Sequence, residues 1–357
     1  MAIAPQKITF TLNGTAIAAQ GDETILQAAD RHGVEIPRLC YKDGYRPDGN
    51  CRVCMVEIEG ERVLAPSCCR LPSEGMTVTS TSARATKSQK MVAELLLGDM
   101  PGQGRSPYRR VSELDFWADK LGVTQPRYPR RHEPPRDLSH PAMSVNLDAC
   151  IQCGRCVRAC REEQVNDVIG YAWRGEHAKI VFDFDDPMGA SSCVACGECV
   201  QACPTGALTP ANDVALLEPD KKVDSACPYC GVGCLLTYNV KDGKILYVEG
   251  RDGPSNASRL CVKGRFGFDY VHNPKRLTKP MIRKEGVAKT AELMDPDDMW
   301  NAFREATWEE ALDLAGGKLR AIRDARGSKA LVEYVQANTR IPVQSVLELV
   351  REGIGFD

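Results

Sequence analysis

The sequence predicts an α+β chain of several small domains, and three observations predict it. Sixteen of the 17 cysteines fall into four tight sets with metal-ligand spacing. Two of those sets are near-copies of each other, 43 residues apart. Around them run short strand and helix patterns punctuated by Asn-Gly, Glu-Gly and Asp-Gly turns. A chain of 357 residues has room for roughly two to four domains.

The first elements read as a hairpin over 7–18. Ile8, Phe10 and Leu12 alternate, Asn13-Gly14 supplies the turn, and Ile17 resumes on the return. Asp22 is placed to cap a short helix carrying Ile25, Leu26, Ala28 and Ala29, with Gly33 ending it. Val53–Ile58 reads as a strand, and Glu59-Gly60 turns it into Val63 and Leu64. Strand, strand, helix, strand in this order predicts a β-grasp domain over 1–82. A helix follows at 85–97, with Met91, Leu95, Val92 and Leu96 at helical spacing and Gly98 as its stop.

Residues 83–141 are this helix plus a linker. The stretch 101–141 holds seven of the 22 prolines and is interrupted by one helix near Leu114–Leu121. The paired cysteine runs occupy a domain over 142–215. Residues 220–275 read as a cysteine knuckle followed by a hairpin turning at Asp242-Gly243. The remainder, 276–357, contains a capping box, Thr307-Trp308-Glu309-Glu310. Leu312, Ala315, Leu319 and Ile322 then share one helical face.

Composition excludes several classes of function. A net charge of −2 gives no electrostatic case for nucleic acid or an anionic membrane surface. No apolar run approaches the ~20 residues of a membrane span. The first residues, Met1-Ala2-Ile3-Ala4-Pro5-Gln6, lack the basic head and apolar core of a secretory signal. Grouped thiols with ligand spacing predict metal binding in a reducing cytoplasm rather than disulfides.

The first set is Cys40, Cys51, Cys54 and Cys68, spaced x10, x2 and x13. A compact loop with a CxxC pair and a distant fourth cysteine suits a plant-type [2Fe–2S] cluster. Four thiolates also suit tetrahedral zinc. Cys69 adjoins Cys68 and reads as spare. The second and third sets are Cys150, Cys153, Cys156, Cys160 and Cys193, Cys196, Cys199, Cys203, with seven of eleven positions identical. Each reads Cys-x2-Cys-x2-Cys-x3-Cys, the ligand pattern of two [4Fe–4S] cubes with crossed fourth ligands. Crossing predicts Cys150, Cys153, Cys156 and Cys203 on one cube, and Cys193, Cys196, Cys199 and Cys160 on the other. Pro204 follows its cysteine, whereas Arg161 stands at the equivalent place in the first run. The fourth set is Cys227, Cys230, Cys234 and Cys261. Its spacing alone leaves both a [4Fe–4S] cluster and zinc open. The five histidines, His32, His132, His140, His177 and His272, are scattered and read as surface or helix-end residues.

A resemblance now rests on these residues. Cys227-Pro-Tyr-Cys230-Gly-Val-Gly-Cys234, then Leu260-Cys261-Val-Lys263-Gly-Arg-Phe-Gly, resembles the [4Fe–4S] domain of molybdopterin oxidoreductases. Arg276-Leu-Thr-Lys-Pro-Met-Ile-Arg283 and Trp308-Glu-Glu-Ala-Leu312 are similar to the same superfamily. The order of sets resembles the alpha subunit of cytoplasmic NAD-dependent formate dehydrogenases containing molybdenum or tungsten. The likeness covers about 7–330 and is shared in part by the large subunit of NADH:quinone oxidoreductase.

The resemblance implies one [2Fe–2S] and three [4Fe–4S] clusters. It also implies a Mo/W-bis(pterin guanine dinucleotide) centre in the full-length protein only. It further implies a flavin/NAD-binding beta subunit and a small [2Fe–2S] gamma subunit as partners. Lys263 is then expected to bridge cluster and pterin; otherwise it is a solvated surface lysine. Relatives often add a cluster held by one histidine and three cysteines after the first domain. Leu97–Tyr108 offers no such residues, so no cluster is expected there. The metal-ligating Cys or selenocysteine of the family does not appear before Asp357. This 357-residue chain is therefore expected to carry the start of a truncated pterin-binding domain, and not to oxidise formate by itself. The rival expectations are an NADH:quinone oxidoreductase-like electron carrier, an iron-only hydrogenase-type input module, and a zinc-stabilised scaffold.

Overall fold

The computed structural model describes residues 7–101, 106–110, 112–129, 134–211, 213–289, 294–295 and 297–339. The chain divides into one compact unit ending at Asp269 and a second beginning at Tyr270.

The first unit opens with β1 (Ile8–Leu12) and β2 (Thr15–Ala19), paired antiparallel with Ile8 opposite Ala19. Asn13 and Gly14 both take positive φ, +50° and +83°, as the tight hairpin turn requires. Helix α1 spans Ile25–Arg31 and is capped by Thr24, not by Asp22. The Gln27 N–H donates to Thr24, and Gln27 Oε1 accepts from the Thr24 N–H at 2.9 Å. This reciprocal box satisfies two helix-end donors at once, which Asp22, two residues earlier, has no position to do.

β3 (Met55–Ile58), β4 (Ala65–Pro66) and β5 (Thr77–Thr79) complete the first sheet. Its order is β2-β1-β5-β3-β4, with β1 and β5 parallel, the β-grasp arrangement. Strand β3 starts at Met55 because Val53 and Cys54 belong to the cysteine loop. Phe10, Leu12, Ile25, Leu26, Val56, Ile58 and Val78 are buried in its core.

Helix α2 (Ala83–Leu97) packs against β3 and helix α3 (Glu113–Leu121) against α2, capped by Ser82 and Ser112 respectively. The buried face of α2 is Ala85, Gln89, Ala93 and Leu97, whereas Met91 and Leu95 are exposed. Gln89 sets this rotation, because its amide donates to the carbonyls of Met55 (2.9 Å) and Ser80 (3.1 Å). Gly122 closes α3 at φ +68°.

The repeat domain is tied at its ends by β6 (Met143–Val145) pairing with β9 (Leu208–Pro210). Between them lie α4 (Arg155–Arg158), the hairpin β7 (Ile169–Ala172) and β8 (Lys179–Phe182), and α5 (Glu198–Ala202). The Arg161/Pro204 difference has a backbone consequence. Pro204 forces Cys203 out of the helix, to φ −68° and ψ 123°. Without a proline, the first run continues from α4 into a π-helical turn at Ala159–Glu163.

A three-stranded sheet follows: β10 (Lys221–Ala226), β11 (Leu235–Lys241) and β12 (Lys244–Gly250). Asp242 and Gly243 turn with φ +49° and +73°. Helix α6 (Val262–Phe266) follows Cys261.

The second unit holds β13 (Met281–Arg283), α7 (Met299–Ala302), β14 (Phe303–Glu305) and α8 (Trp308–Thr339), the last broken at Gly327 (φ +79°). Only half of the expected capping box forms. Thr307 Oγ1 accepts from the Glu310 N–H at 3.1 Å, but the Glu310 carboxylate pairs with Arg304. Leu312 and Ala315 are exposed. Among its described apolar residues this unit buries only Ala302, Ala306 and Leu331, too little to cover that helix face. The last part of the 276–357 stretch, from 340, lies outside the described residues.

Candidate metal centres

The first cysteine loop leaves α1 and bends at three left-handed positions, Gly44, Gly49 and Arg52. This brings Cys40, Cys51, Cys54 and Cys68 together. Cys40, Cys54 and Cys68 are buried and Cys51 is half-buried. The Cys40 N–H donates to Cys51 Sγ at 3.4 Å. Hydrogen bonds from Cys51 and then Cys68 hold the Cys40 thiol far down, at about 2. Those from Cys68 hold Cys54 at about 7. Cys69 is exposed, with its Sγ 3.6 Å from that of Cys68.

The two repeat loops have one backbone. Gln152 and Gly154 take φ +53° and +75°, and their equivalents Ala195 and Gly197 take +55° and +70°. Each loop therefore curls between its first three cysteines. Cys150, Cys153, Cys156 and Cys203 line one small pocket together. Burial pushes Cys153 up to about 12, with Cys203 and Cys150 adding to it. In the other run burial raises Cys193, Cys196 and Cys199, and Cys160 adds to each. The Val168 N–H donates to Cys160 Sγ at 3.3 Å, and the Ala195 N–H to Cys193 Sγ at 3.4 Å.

The fourth set is more open. Cys227 is buried, Cys234 half-buried, and Cys230 and Cys261 exposed. The Cys227 N–H donates to the Cys234 carbonyl at 2.8 Å. Burial raises Cys234, followed by the nearby Cys227, Cys230 and Cys261. Lys263 is exposed on α6. No three ligand side chains among the described residues converge on one point suited to a single ion.

The donor chemistry of all four sets fits iron–sulfur clusters. Each set offers four soft thiols, and backbone N–H groups point at sulfur in three of the sets. No cysteine follows Cys261. The described residues after it thus offer no thiolate to a molybdenum or tungsten centre.

Sequence reasoning overlooked the polar side chains that seat these loops on one another. Arg158 is buried and donates to the carbonyls of Cys40 and Arg46. Arg155, also buried, pairs with Glu113 at 2.6 Å and donates to the Tyr41 carbonyl. Asn50 Nδ2 donates to the Gln152 carbonyl at 2.8 Å, and Lys42 Nζ to that of Gln201 at 3.1 Å. One signal was available. The equivalent repeat positions Arg155 and Glu198 carry opposite charges, and each faces a different neighbour. Among the histidines, His140 departs from expectation. It is buried, and its Nδ1 accepts the Ala142 N–H at 3.1 Å. His132 lies outside the described residues.

Family comparisons match three parts of the chain. Residues 5–83 match a 2Fe-2S iron-sulfur cluster binding domain. Residues 149–207 match a 4Fe-4S dicluster domain, and residues 220–273 a molybdopterin oxidoreductase Fe4S4 domain. The chain therefore carries these three iron–sulfur domains in that order. It is 31% identical to "Putative formate dehydrogenase YrhE" of Bacillus subtilis, over 93% of this chain and 37% of that protein. It is likewise 31% identical to an NADH-quinone oxidoreductase subunit of Rhizobium meliloti, over 87% of this chain and 35% of that one. The chain thus spans just over a third of the length of these curated relatives, which are named as oxidoreductases. Among solved structures, a chain of an NAD+-reducing [NiFe]-hydrogenase in the H2-reduced state is similar. Its TM-score is 0.52 at 28% identity, covering 57% of this chain and 88% of that one. No described helix is long and apolar enough to cross a membrane.

Proposed function

We propose that the chain is the electron-relay portion of a formate dehydrogenase alpha subunit. The complete protein would oxidise formate, or reduce carbon dioxide, at a Mo/W-bis(pterin guanine dinucleotide) centre. The observation that carries this reading is the position of the molybdopterin-oxidoreductase Fe4S4 domain, which follows the other two iron–sulfur domains directly. When bound, such clusters supply one-electron carriage. The chain's own residues hold them and set their spacing.

We assign Cys40, Cys51, Cys54 and Cys68 to one [2Fe–2S] cluster. Cys150, Cys153, Cys156 and Cys203 take one [4Fe–4S] cluster, and Cys193, Cys196, Cys199 and Cys160 a second. The shared cavity of Cys203 with the first run supports this crossing. Cys227, Cys230, Cys234 and Cys261 take the third. Lys263, exposed beside Cys261, is assigned to the contact with the pterin. The domain limits 1–82, 83–141, 142–215, 220–275 and 276–357 belong to the same reading. So do a flavin/NAD-binding beta subunit, a small [2Fe–2S] gamma subunit and a cytoplasmic setting.

The test is iron and acid-labile sulfide analysis with EPR after dithionite reduction. One [2Fe–2S] and three [4Fe–4S] clusters hold two plus twelve, or about 14, iron atoms. A zinc-bearing chain without sulfide sinks the reading. The identity to a component of NADH-quinone oxidoreductase supports a second reading, a carrier with no formate chemistry. Formate-dependent viologen reduction by the complete polypeptide separates the two.

A further inference from the structure

Glu198 lies between the left-handed Gly197 and the third cysteine of its run, and its side chain is fully buried, at 0% exposure. Its Oε1 accepts from the Tyr45 hydroxyl at 2.7 Å. Its Oε2 accepts from Arg265 Nη2 at 3.1 Å. Arg259 Nε stands 3.8 Å from Oε1. Tyr45 belongs to the Cys40–Cys51 loop, whereas Arg259 and Arg265 flank Cys261. Segments from three cysteine sets therefore meet at one carboxylate.

The Arg265 arm is closely fitted. Its side chain is buried, and it also donates to Gln201 and, at 3.1 Å, to the Val248 carbonyl. Its Nε reaches the Cys196 carbonyl at 3.4 Å. A β-carbon at Gly197 would stand 2.7 Å from Arg265 Cγ and 2.9 Å from Phe266 Cζ. Only glycine suits that place, on contact and on its φ of +70° alike. Arg259 is fixed separately by Glu163 at 2.6 Å. An ion pair this buried adds little net stability, since well-packed apolar groups do as well. What it does supply is one defined geometry.

We propose that Glu198 is a positioning residue that sets the separation between three centres: the Cys40 loop, the Cys193–Cys199 run and the Cys261 turn. The proposal rests on the electron-relay reading above. Electron tunnelling falls steeply with distance, so a joint that fixes three segments at once governs how fast neighbouring centres exchange an electron. No bond or proton changes at Glu198. One centre loses an electron and its neighbour gains it, with dithionite as the reductant in the test.

The test uses the full chain carrying its clusters, as wild type and as Tyr45→Phe, Arg265→Lys, Arg265→Gln and Glu198→Gln. Spin–spin broadening between reduced centres is read by EPR beside iron content. Hydrogen exchange is followed over 196–201 and 259–266. Arg265→Gln is expected to keep its iron but lose broadening, and to exchange faster over both segments. Its intercentre electron transfer should slow as the separation grows. Arg265→Lys should restore part of this. A purely structural role lowers the melting temperature and leaves the broadening of folded protein unchanged. If Arg265→Gln loses iron, Tyr45→Phe, which removes one hydroxyl, decides. Wild-type broadening and exchange in iron-replete Tyr45→Phe and Glu198→Gln overturn the proposal. Absence of iron from the wild type overturns the relay reading instead.

Discussion

In the first cysteine set three ligands are buried and one is half-buried, whereas in the fourth only Cys227 is buried and Cys230 and Cys261 are exposed. Both sets offer four thiols. Their surroundings differ because of what packs over them. Leu39, Cys40 and Val53 share a core with Leu97, Met100, Leu114 and Trp117 from α2, α3 and the turn between them. Among the described residues, the buried core beside the fourth set is Cys227, Leu236, Val248 and Leu260. Identical ligand chemistry can therefore sit in a closed or an open pocket, and burial is one of the levers on cluster potential and lability.

The largest effects test the ligands themselves. Cys68→Ser should abolish the [2Fe–2S] EPR signal, and Cys69→Ser should leave it intact, since Cys68 is buried with Cys40 and Cys54 whereas Cys69 is exposed. The reverse pattern would reassign the buried ligand and break the contrast at its root. Next comes lability. On exposure to air and a chelator, iron should leave the open fourth set before the closed first one, followed by EPR signal against time. Simultaneous loss would show that exposure of Cys230 and Cys261 does not matter. A third experiment compares the two cores. Phe10→Ala should cost about 3–5 kcal/mol and Leu236→Ala about 2–5 kcal/mol. Leu236 should fall at the low end, because its small neighbourhood can relax. Chemical denaturation reads both.

The smallest expected effect is a pH slope in the repeat domain. Burial holds His140 below the ordinary histidine range, against the pull of Asp137. The unfolded chain then binds the proton more readily than the folded one. Stability is whole above the ordinary pKa of about 6.5 and falls as pH drops through the depressed folded value. His140→Gln should flatten the slope of unfolding free energy between neutral and mildly acidic pH. A steeper slope in the variant would contradict the sign.

What the sequence made legible was local. Asn13-Gly14 and Asp242-Gly243 predicted their hairpins because positive φ is a property of those residues. The helix expected near Leu114–Leu121 forms at Glu113–Leu121, and the structure adds its caps, Ser112 and Gly122. Some errors arose where a distant partner decided. Gln89 turned α2 by bonding to the Met55 carbonyl, 34 residues back in β3. The Asp22 miss was instead local, since Thr24 forms a capping box with Gln27, three residues on. In the candidate metal sites the spacing proposed which cysteines group, since ligand loops are short. It carried nothing about Arg155, Arg158 or Glu198, whose partners lie far along the chain. Exposure of the fourth set was equally hidden, because what packs over a loop is a tertiary fact.

The arginine contacts of α4 have a consequence for how the molecule is made. Carbonyls at Cys40, Tyr41 and Arg46 take their donors from 118, 114 and 112 residues further on. A ribosome adding about 5–20 residues per second releases that loop on the order of ten seconds before the arginines that close over it. Until then those carbonyls bond to water and the thiols of Cys40 and Cys51 remain accessible. Synthesis itself thus opens an interval in which cargo can be loaded into the site that, once finished, is the more tightly shut of the two.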